Sequence, residues 1–389
     1  MRILIYTGKG GVGKTSIATA TAYFLAKTGK KVLLMSTDQA HSLQDSLECK
    51  LSNEPFEVYK NLFAVEIDSV EESRKNWGNL QGYLKQIITE KANDGIEADE
   101  ALLFPGLDEV FALLRILEIY KEKKYDVLVI DCAPTGQSLS LLTYAEKLQM
   151  IADKILPMVK NINSAFGSFI SKRTSVPKPR DIVFDEFSSL VKKLNVLQDI
   201  LREEQTTTVR IVTTPEKIVI DEARRNYTWL LLYGFNVDAV YINKIYPKDI
   251  LDNDYFSPIK EIQNKNIEFV EKSFLNQKIF KLELQDEEVF GKKALEKISE
   301  NLYKELNPFD VFSKIQNFKI EDIDGTRILI IPLPFAKKEE IFVTKEETDI
   351  VISYLNETRR FHLPDKLCRR KISKYIYEDG NLKINMDYE

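Results

Sequence analysis

The sequence predicts an α/β protein, a mostly parallel sheet with helical insertions, followed by a small all-β sandwich. Three observations carry that expectation. Short apolar runs such as Ile3-Leu4-Ile5 and Val32-Leu33-Leu34-Met35 alternate with stretches of helical period through about residue 300, the pattern of a sheet covered on both faces. A glycine-rich segment, Gly8-Lys9-Gly10-Gly11-Val12-Gly13-Lys14-Thr15-Ser16, joins the first strand to the first helix. Beyond Thr326 the apolar period changes from helical to two, which marks short strands with polar turns. The expected boundaries are 1–306 for the α/β unit, 307–326 for a polar linker and 327–389 for the sandwich, with helical insertions at about 69–124 and 144–205.

Composition narrows the class. A chain of 389 residues, 44% apolar, can bury the cores of two domains. Its net charge is −5, with both signs mixed among 30% charged residues, so it offers no basic face for a phosphate backbone and nucleic acid is not an expected partner. The glycine-rich segment begins within the first ten residues, which leaves no room for a secretory leader. No uncharged apolar run approaches the roughly 18 residues of a membrane span. The expectation is a cytoplasmic chain without stable membrane insertion. Cys49, Cys132 and Cys368 form no C-x-x-C pair, so reduced structural thiols are expected rather than disulfides or a zinc site.

The elements follow in order. Ile3-Leu4-Ile5 is a buried strand, and Thr15 to Lys27 is a helix that stops at Gly29. Between them, four glycines let backbone N–H groups turn toward a phosphate chain. Lys14 can reach the β- and γ-phosphates, and the Thr15 hydroxyl is available to Mg²⁺. This is a phosphate-binding P-loop, and Gly8 through Ser16 are the expected nucleotide contacts. Val32 to Met35 is the second strand, and it delivers Asp38 to the sheet end where open α/β folds hold their ligands. Asp38 could equally cap a helix beginning near Ala40. Leu62 to Ile67 is the next strand. Helical spacing from Ser69 to Ala92 is interrupted by Phe104-Pro105-Gly106-Leu107-Asp108-Glu109, and Val110 to Tyr120 resumes it.

Tyr125 to Asp131 is an apolar strand ending in a carboxylate, the arrangement that holds a magnesium-bound water at a strand tip. Gly136, in Cys132-Ala133-Pro134-Thr135-Gly136, could free a backbone N–H to sense a γ-phosphate, or could be a turn glycine. Between 144 and 205, Ile151, Ile155, Met158, Val159, Ile162, Phe166, Phe169 and Ile170 form a broad apolar stripe, the mark of a core helix or of a groove. Val209 to Val212, Ala239 to Lys244 and Ile279 to Leu282 complete the sheet. Asn243 suits the edge of adenine because a carboxamide both donates and accepts, although a strand-end turn also favours asparagine. The helix Lys292 to Leu306 ends at Asn307-Pro308. In the tail, strands are expected at 327–335, 341–343, 350–354, 360–363 and 379–384.

The spelling Lys-Gly-Gly-Val-Gly-Lys-Thr at 9–15 resembles the deviant P-loop group, which includes arsenite-pump ATPases, tail-anchored-protein targeting ATPases and partition proteins. The resemblance implies that Lys9 reaches the nucleotide of a partner subunit, hence a homodimer. Asp38-Gln39-Ala40-His41 resembles switch I of the arsenite-pump and targeting branch, with Gln39 in place of proline, and implies that Asp38 orients the attacking water. The segment from Asp131 to Gly136 resembles its switch II, with Cys132 for threonine and Gln137 for histidine, and the phrase at 104–109 resembles its Pro-Gly-x-Asp-Glu segment. The same branch places its base-reading asparagine at Asn243. Its base-side loop corresponds to Leu284 to Gly291, where Phe290 replaces an arginine. The phrase Glu378-Asp379-Gly380-Asn381-Leu382-Lys383-Ile384 and Leu363-Pro364 resemble the α-crystallin domain of small heat-shock proteins.

What the resemblance implies is an ATPase using ATP and Mg²⁺. Lys9, Lys14 and Asp38 would act in catalysis, and Thr15, Asp38 and Asp131 would stand at the metal. The function first expected is ATP-driven capture and release of a hydrophobic client, such as a membrane-protein segment or another apolar peptide, with the 144–205 region as the groove. Five methionines in the whole chain lend that groove little help. Two alternatives accompany it: an arsenite-stimulated pump ATPase, disfavoured because soft trivalent arsenic needs clustered thiolates, and a holdase switched by nucleotide.

Overall fold

A computed structural model of the chain describes residues 1–37, 42–68, 71–72, 107–132, 181–252, 254–314, 318–323, 326–355 and 357–387. The expectations placed on Asp38, Gly136, the 151–170 stripe and most of both helical insertions lie outside those residues.

The first half of the fold is a sheet of eight strands: β1 (Arg2–Thr7), β2 (Val32–Ser36), β3 (Phe56–Tyr59), β4 (Leu62–Glu66), β5 (Val127–Asp131), β6 (Thr207–Thr213), β7 (Val237–Ile245) and β8 (Lys278–Glu283). They run in the spatial order β3-β4-β2-β5-β1-β6-β7-β8. Every pairing is parallel except that of β3 with β4. The apolar runs are continuous because both faces are covered, and side chains alternate between them. Ile3, Leu33 and Met35 point into one core with α3 (Leu107–Glu122), α4 (Asp181–Arg202), α5 (Lys217–Leu232) and α7 (Ser257–Ser273). Leu4, Val32 and Leu34 point into the other, with α1 (Lys14–Lys27) and α8 (Gly291–Leu302). The short helices α2 (Ser42–Leu47) and α6 (Lys248–Leu251) lie in the loops after β2 and β7.

The tail is a second, antiparallel unit. A four-stranded sheet, β14-β15-β10-β9, faces a three-stranded one, β11-β12-β13. Their ranges are β9 Lys319–Ile323, β10 Thr326–Pro332, β11 Ile341–Glu346, β12 Asp349–Tyr354, β13 Glu357–His362, β14 Lys371–Glu378 and β15 Asn381–Asp387, with a single turn, α9 (Asp365–Cys368), before β14. Leu329, Ile331, Ile350, Ile352, Leu382, Ile384 and Met386 fill the space between the sheets, as period-two patterning demands.

Three strands escape the periodicity argument. β3 is a short edge strand of half-exposed residues, and β9, in the stretch read as polar linker, exposes four of its five residues. β14 alternates poorly because its register shifts at Ile372 to Lys374. Asp379-Gly380, read as the start of a strand, is instead the two-residue turn between β14 and β15. Both residues have positive φ, 49° and 72°, which is the backbone that the tightest hairpins require.

The segment after α8 is strapped to the sheet. Arg210 and Asp238 pair at 3.2 Å with both side chains fully buried. Arg210 Nη2 also donates to the carbonyl of Pro308 at 2.8 Å, and the N–H of Phe312 donates to Asp238 at 3.2 Å. Arg2 adds a bond to the Phe309 carbonyl at 3.0 Å. Burial opposes the Arg210 charge, but Asp238 and the surrounding tyrosines more than restore it, and its pKa lies above the usual guanidinium value. For Arg2, burial and then the Arg210 charge outweigh the pull of Asp238 and Asp310 and push it down to about 10. The β unit then docks on α5, where Thr228 bonds the Pro334 carbonyl. Nearby, Arg359 donates to the Leu232 carbonyl at 2.6 Å.

Candidate nucleotide site

The site forms where three strand tips meet. Tyr6 and Ser36 both align with Asp131, which places β1 and β2 on either side of β5. The backbone extends the match, with Thr37 N–H donating to the Asp131 carbonyl at 3.1 Å and Cys132 N–H to the Tyr6 carbonyl at 3.2 Å. A chain leaving β1 at Thr7 therefore passes directly over the end of β5.

The loop that leaves β1 is shaped by close approach. A side chain at Gly8 would bring its Cβ to 2.2 Å from the Val212 carbonyl of β6, so only glycine lets the loop lie this low. Gly13, with φ of 91°, turns the chain into α1, and a Cβ there would fall 2.3 Å from Asn243 Nδ2. Val12 anchors the loop in the core, 2% exposed. Lys14, nearly buried, bends back across the loop and donates to the Lys9 carbonyl at 3.1 Å. Its ammonium is thus held over the concave side of the loop, where backbone N–H groups at the start of α1 and the helix dipole favour an anion.

Beneath the loop, Thr15 Oγ1 donates to Asp131 Oδ2 at 2.6 Å. Asp131 is 1% exposed. A hydroxyl and a buried carboxylate converging at the floor of an anion cradle are the hard oxygen donors that Mg²⁺ takes beside phosphate oxygens. Ser16 sits on the first turn of α1 beside them.

From the opposite side, β7 reaches the loop with two consecutive side chains. Asn243 Nδ2 donates to the Val12 carbonyl at 2.8 Å, and Lys244 Nζ donates to the Gly11 carbonyl at 2.7 Å. Lys9 leans away from Lys14 and pairs with Glu222 of α5 at 3.6 Å. Glu66, at the end of β4 and largely buried, accepts from the N–H groups of Leu43 and Gln44 at 3.2 and 3.1 Å. It fixes the start of α2, directly after the segment that carries Asp38.

The structure thus brings together Lys9, Gly10, Gly11, Lys14, Thr15 and Asp131, with Asn243 against the same loop. Lys244, Glu222 and Glu66 belong to this neighbourhood and were not singled out from the sequence. Only the Asn-Lys pair ending an apolar strand hinted at the first. Between the end of α2 and the start of α8, an open groove of about 770 Å³ is lined by Glu48, Asp286, Phe290, Gly291 and Lys293. Phe290 is about half exposed there.

Comparison with known proteins matches residues 1–304 to the family model described as anion-transporting ATPase, and residues 324–386 to a model described as an HSP20-like domain found in that family. The "Putative arsenical pump-driving ATPase 1" of Aquifex aeolicus is 35% identical, covering 99% of this chain and all of that protein. The "Putative arsenical pump-driving ATPase" of Prosthecochloris vibrioformis is 33% identical over the whole chain and 96% of its own length. The "ATPase get3" of Neurospora crassa is 29% identical over 79% of this chain and 92% of its own length.

Proposed function

We propose, from the premise that the chain belongs to the anion-transporting ATPase family, that it is a Mg²⁺-dependent ATPase whose active form is a homodimer driving work on another protein. The observation that carries this reading is the convergence of the Lys14 ammonium, the Thr15 hydroxyl and the Asp131 carboxylate on one loop.

In this reading the loop N–H groups and Lys14 bind the phosphate chain of ATP. Thr15 and Asp131 would hold Mg²⁺, whose chemistry is to draw charge off the phosphate oxygens. Asp38 orients the attacking water, and Lys9 leaves Glu222 to reach the partner's phosphates, so that charge developing on the transferred phosphoryl group is met by two ammonium groups. Asn243, with one amide hydrogen on Val12, keeps its remaining bonding capacity for the purine edge, and Phe290 flanks the base side.

For the work done, relatives that span the whole chain, tail included, carry the pump-driving name, and we favour that reading over the client capture placed first by the sequence. The thiols set its form. Cys49, Cys132 and Cys368 each pack against a different one of the three cores, so no thiolate cluster forms within a protomer and the metalloid would be recognised on the pump rather than here. Capture of hydrophobic segments is the second reading, supported by the resemblance to the targeting branch and the likeness to the ATPase get3 over 79% of this chain.

The test is steady-state ATP hydrolysis with Mg²⁺ together with sedimentation in ADP and aluminium fluoride. Turnover and a dimer in wild type, both lost in Lys9→Ala, are expected. A monomer in the transition-state analogue, with Lys9→Ala turning over normally, would overturn the dimeric mechanism.

A further inference from the structure

β7 does something that a regular strand cannot. Successive side chains of a strand point to opposite faces, yet Asn243 and Lys244 both bond the same loop, at the carbonyls of Val12 and Gly11. The reason is a bulge. The pairing of β7 with β8 loses register between Ile242 and Ile245, and Lys244 takes φ of 58°, a left-handed conformation that a residue with a Cβ enters only at a cost. Bulges beside functional sites re-aim side chains, and here the bulge turns Lys244 onto the face that Asn243 already occupies.

The consequence falls on the loop. In a trans peptide the C=O and the following N–H point in opposite directions. With the Gly11 carbonyl held toward Lys244, the Val12 N–H must face away from β7; with the Val12 carbonyl held toward Asn243, so must the Gly13 N–H. Two neighbouring donors are thereby turned the same way before any ligand arrives.

We infer that Lys244 is a positioning residue for nucleotide binding. Through its bond to the Gly11 carbonyl it sets, together with Asn243, the orientation of two consecutive peptides of the phosphate loop, and the left-handed bulge exists to bring it there. The charged donor also polarises the Gly11 peptide, which strengthens the Val12 N–H as a donor to phosphate. This deepens the nucleotide-site reading and rests on it.

Lys244→Gly is the informative variant, because glycine adopts the left-handed backbone freely while the ammonium is removed. Titration calorimetry of the full-length protein with MgATP and with MgADP, alongside thermal melting, reads the two effects separately. The expected result is roughly tenfold weaker binding of both nucleotides and a KM raised more than kcat falls, with an unchanged or higher Tm. Lys244→Arg should recover most of the affinity, and Lys244→Met should lose it. A merely structural lysine would give the opposite pattern, a lower Tm with affinity within twofold of wild type, and that result in Lys244→Gly and Lys244→Met overturns the inference. Failure of wild type to bind either nucleotide would instead defeat the ATPase reading itself.

Discussion

Lys9 and Glu222 form an ion pair of 3.6 Å that joins the phosphate loop to α5, with 40% and 27% of the two side chains exposed. An ion pair that wet contributes about 0–1 kcal/mol, so Lys9 can leave it at little cost. If Lys9 serves a partner's site, Glu222→Gln is expected to shift the nucleotide-bound monomer–dimer equilibrium toward dimer by no more than about fivefold. Lys9→Ala should abolish that dimer while leaving MgADP affinity nearly intact. Sedimentation velocity across a concentration series reads both. An Lys9→Ala protein that still dimerises with nucleotide would sever Lys9 from assembly.

Thr15 Oγ1 and Asp131 Oδ2 lie 2.6 Å apart, with the carboxylate buried and the hydroxyl part-exposed. Replacing Asp131 by Asn keeps the shape but removes the charge that a divalent cation needs. Hydrolysis is predicted to fall by about 100-fold or more, while Mg²⁺-free nucleotide binding changes little. A Mg²⁺ titration of both activities checks this. Chelation with EDTA should silence wild type to the same level, and an Asp131→Asn enzyme with normal Mg²⁺ dependence would remove Asp131 from the metal site.

The sheet was legible from the sequence because its strands are continuous apolar runs bounded by glycines and carboxylates, and the loop because a phosphate cradle needs glycine at close contacts such as Gly8 against Val212. Residues that reach the site through tertiary placement left no such trace. Glu222 stands mid-helix, about 210 residues from the loop it pairs with. Lys244 is re-aimed by a bulge, and nothing in Asn243-Lys244 announces a left-handed backbone. Strands β3, β9 and β14 stand at sheet edges, which bury little, so hydrophobic periodicity fades in them, and in β14 the register shift breaks it further.

Arg210 and Asp238 form a fully buried ion pair outside the site, and their partners include the segment that leads to the β unit. Removing one charge strands the other. Asp238→Ala is predicted to cost about 3–5 kcal/mol, whereas the double change Arg210→Met with Asp238→Leu should cost clearly less than either single loss. Urea unfolding followed by tryptophan fluorescence measures it. A double variant that costs the sum of the two single losses would mean that the pair is not coupled.

The three thiols occupy three separate cores, and burial raises the Cys49 pKa. A soft metalloid therefore finds no shared set of thiolates within one protomer. Cys49→Ala and Cys368→Ala are each expected to leave any arsenite effect on ATP hydrolysis within twofold of wild type. A response abolished by either change would place a metalloid ligand on this chain.

Phe335 closes the seam between the two units. Its ring lies under the Arg224 guanidinium at 4.3 Å and against Tyr227 and Phe274, with ring centroids at 5.9 and 5.6 Å. Trp229 of the same helix packs edge-on to Tyr354 of the β unit at 6.4 Å. A β unit this small buries too little apolar surface to be robust alone, and α5 supplies part of its cover through Leu232 and Trp229. Phe335→Ala is thus predicted to destabilise the β unit by about 2–3 kcal/mol, below the cost of a fully buried phenylalanine because this one is half-buried. Differential scanning calorimetry should show the β unit melting earlier, as a separate transition, with the ATP-stabilised transition of the α/β unit unmoved. A single transition displaced as a whole would instead mean that the seam holds the α/β unit together as much as the tail.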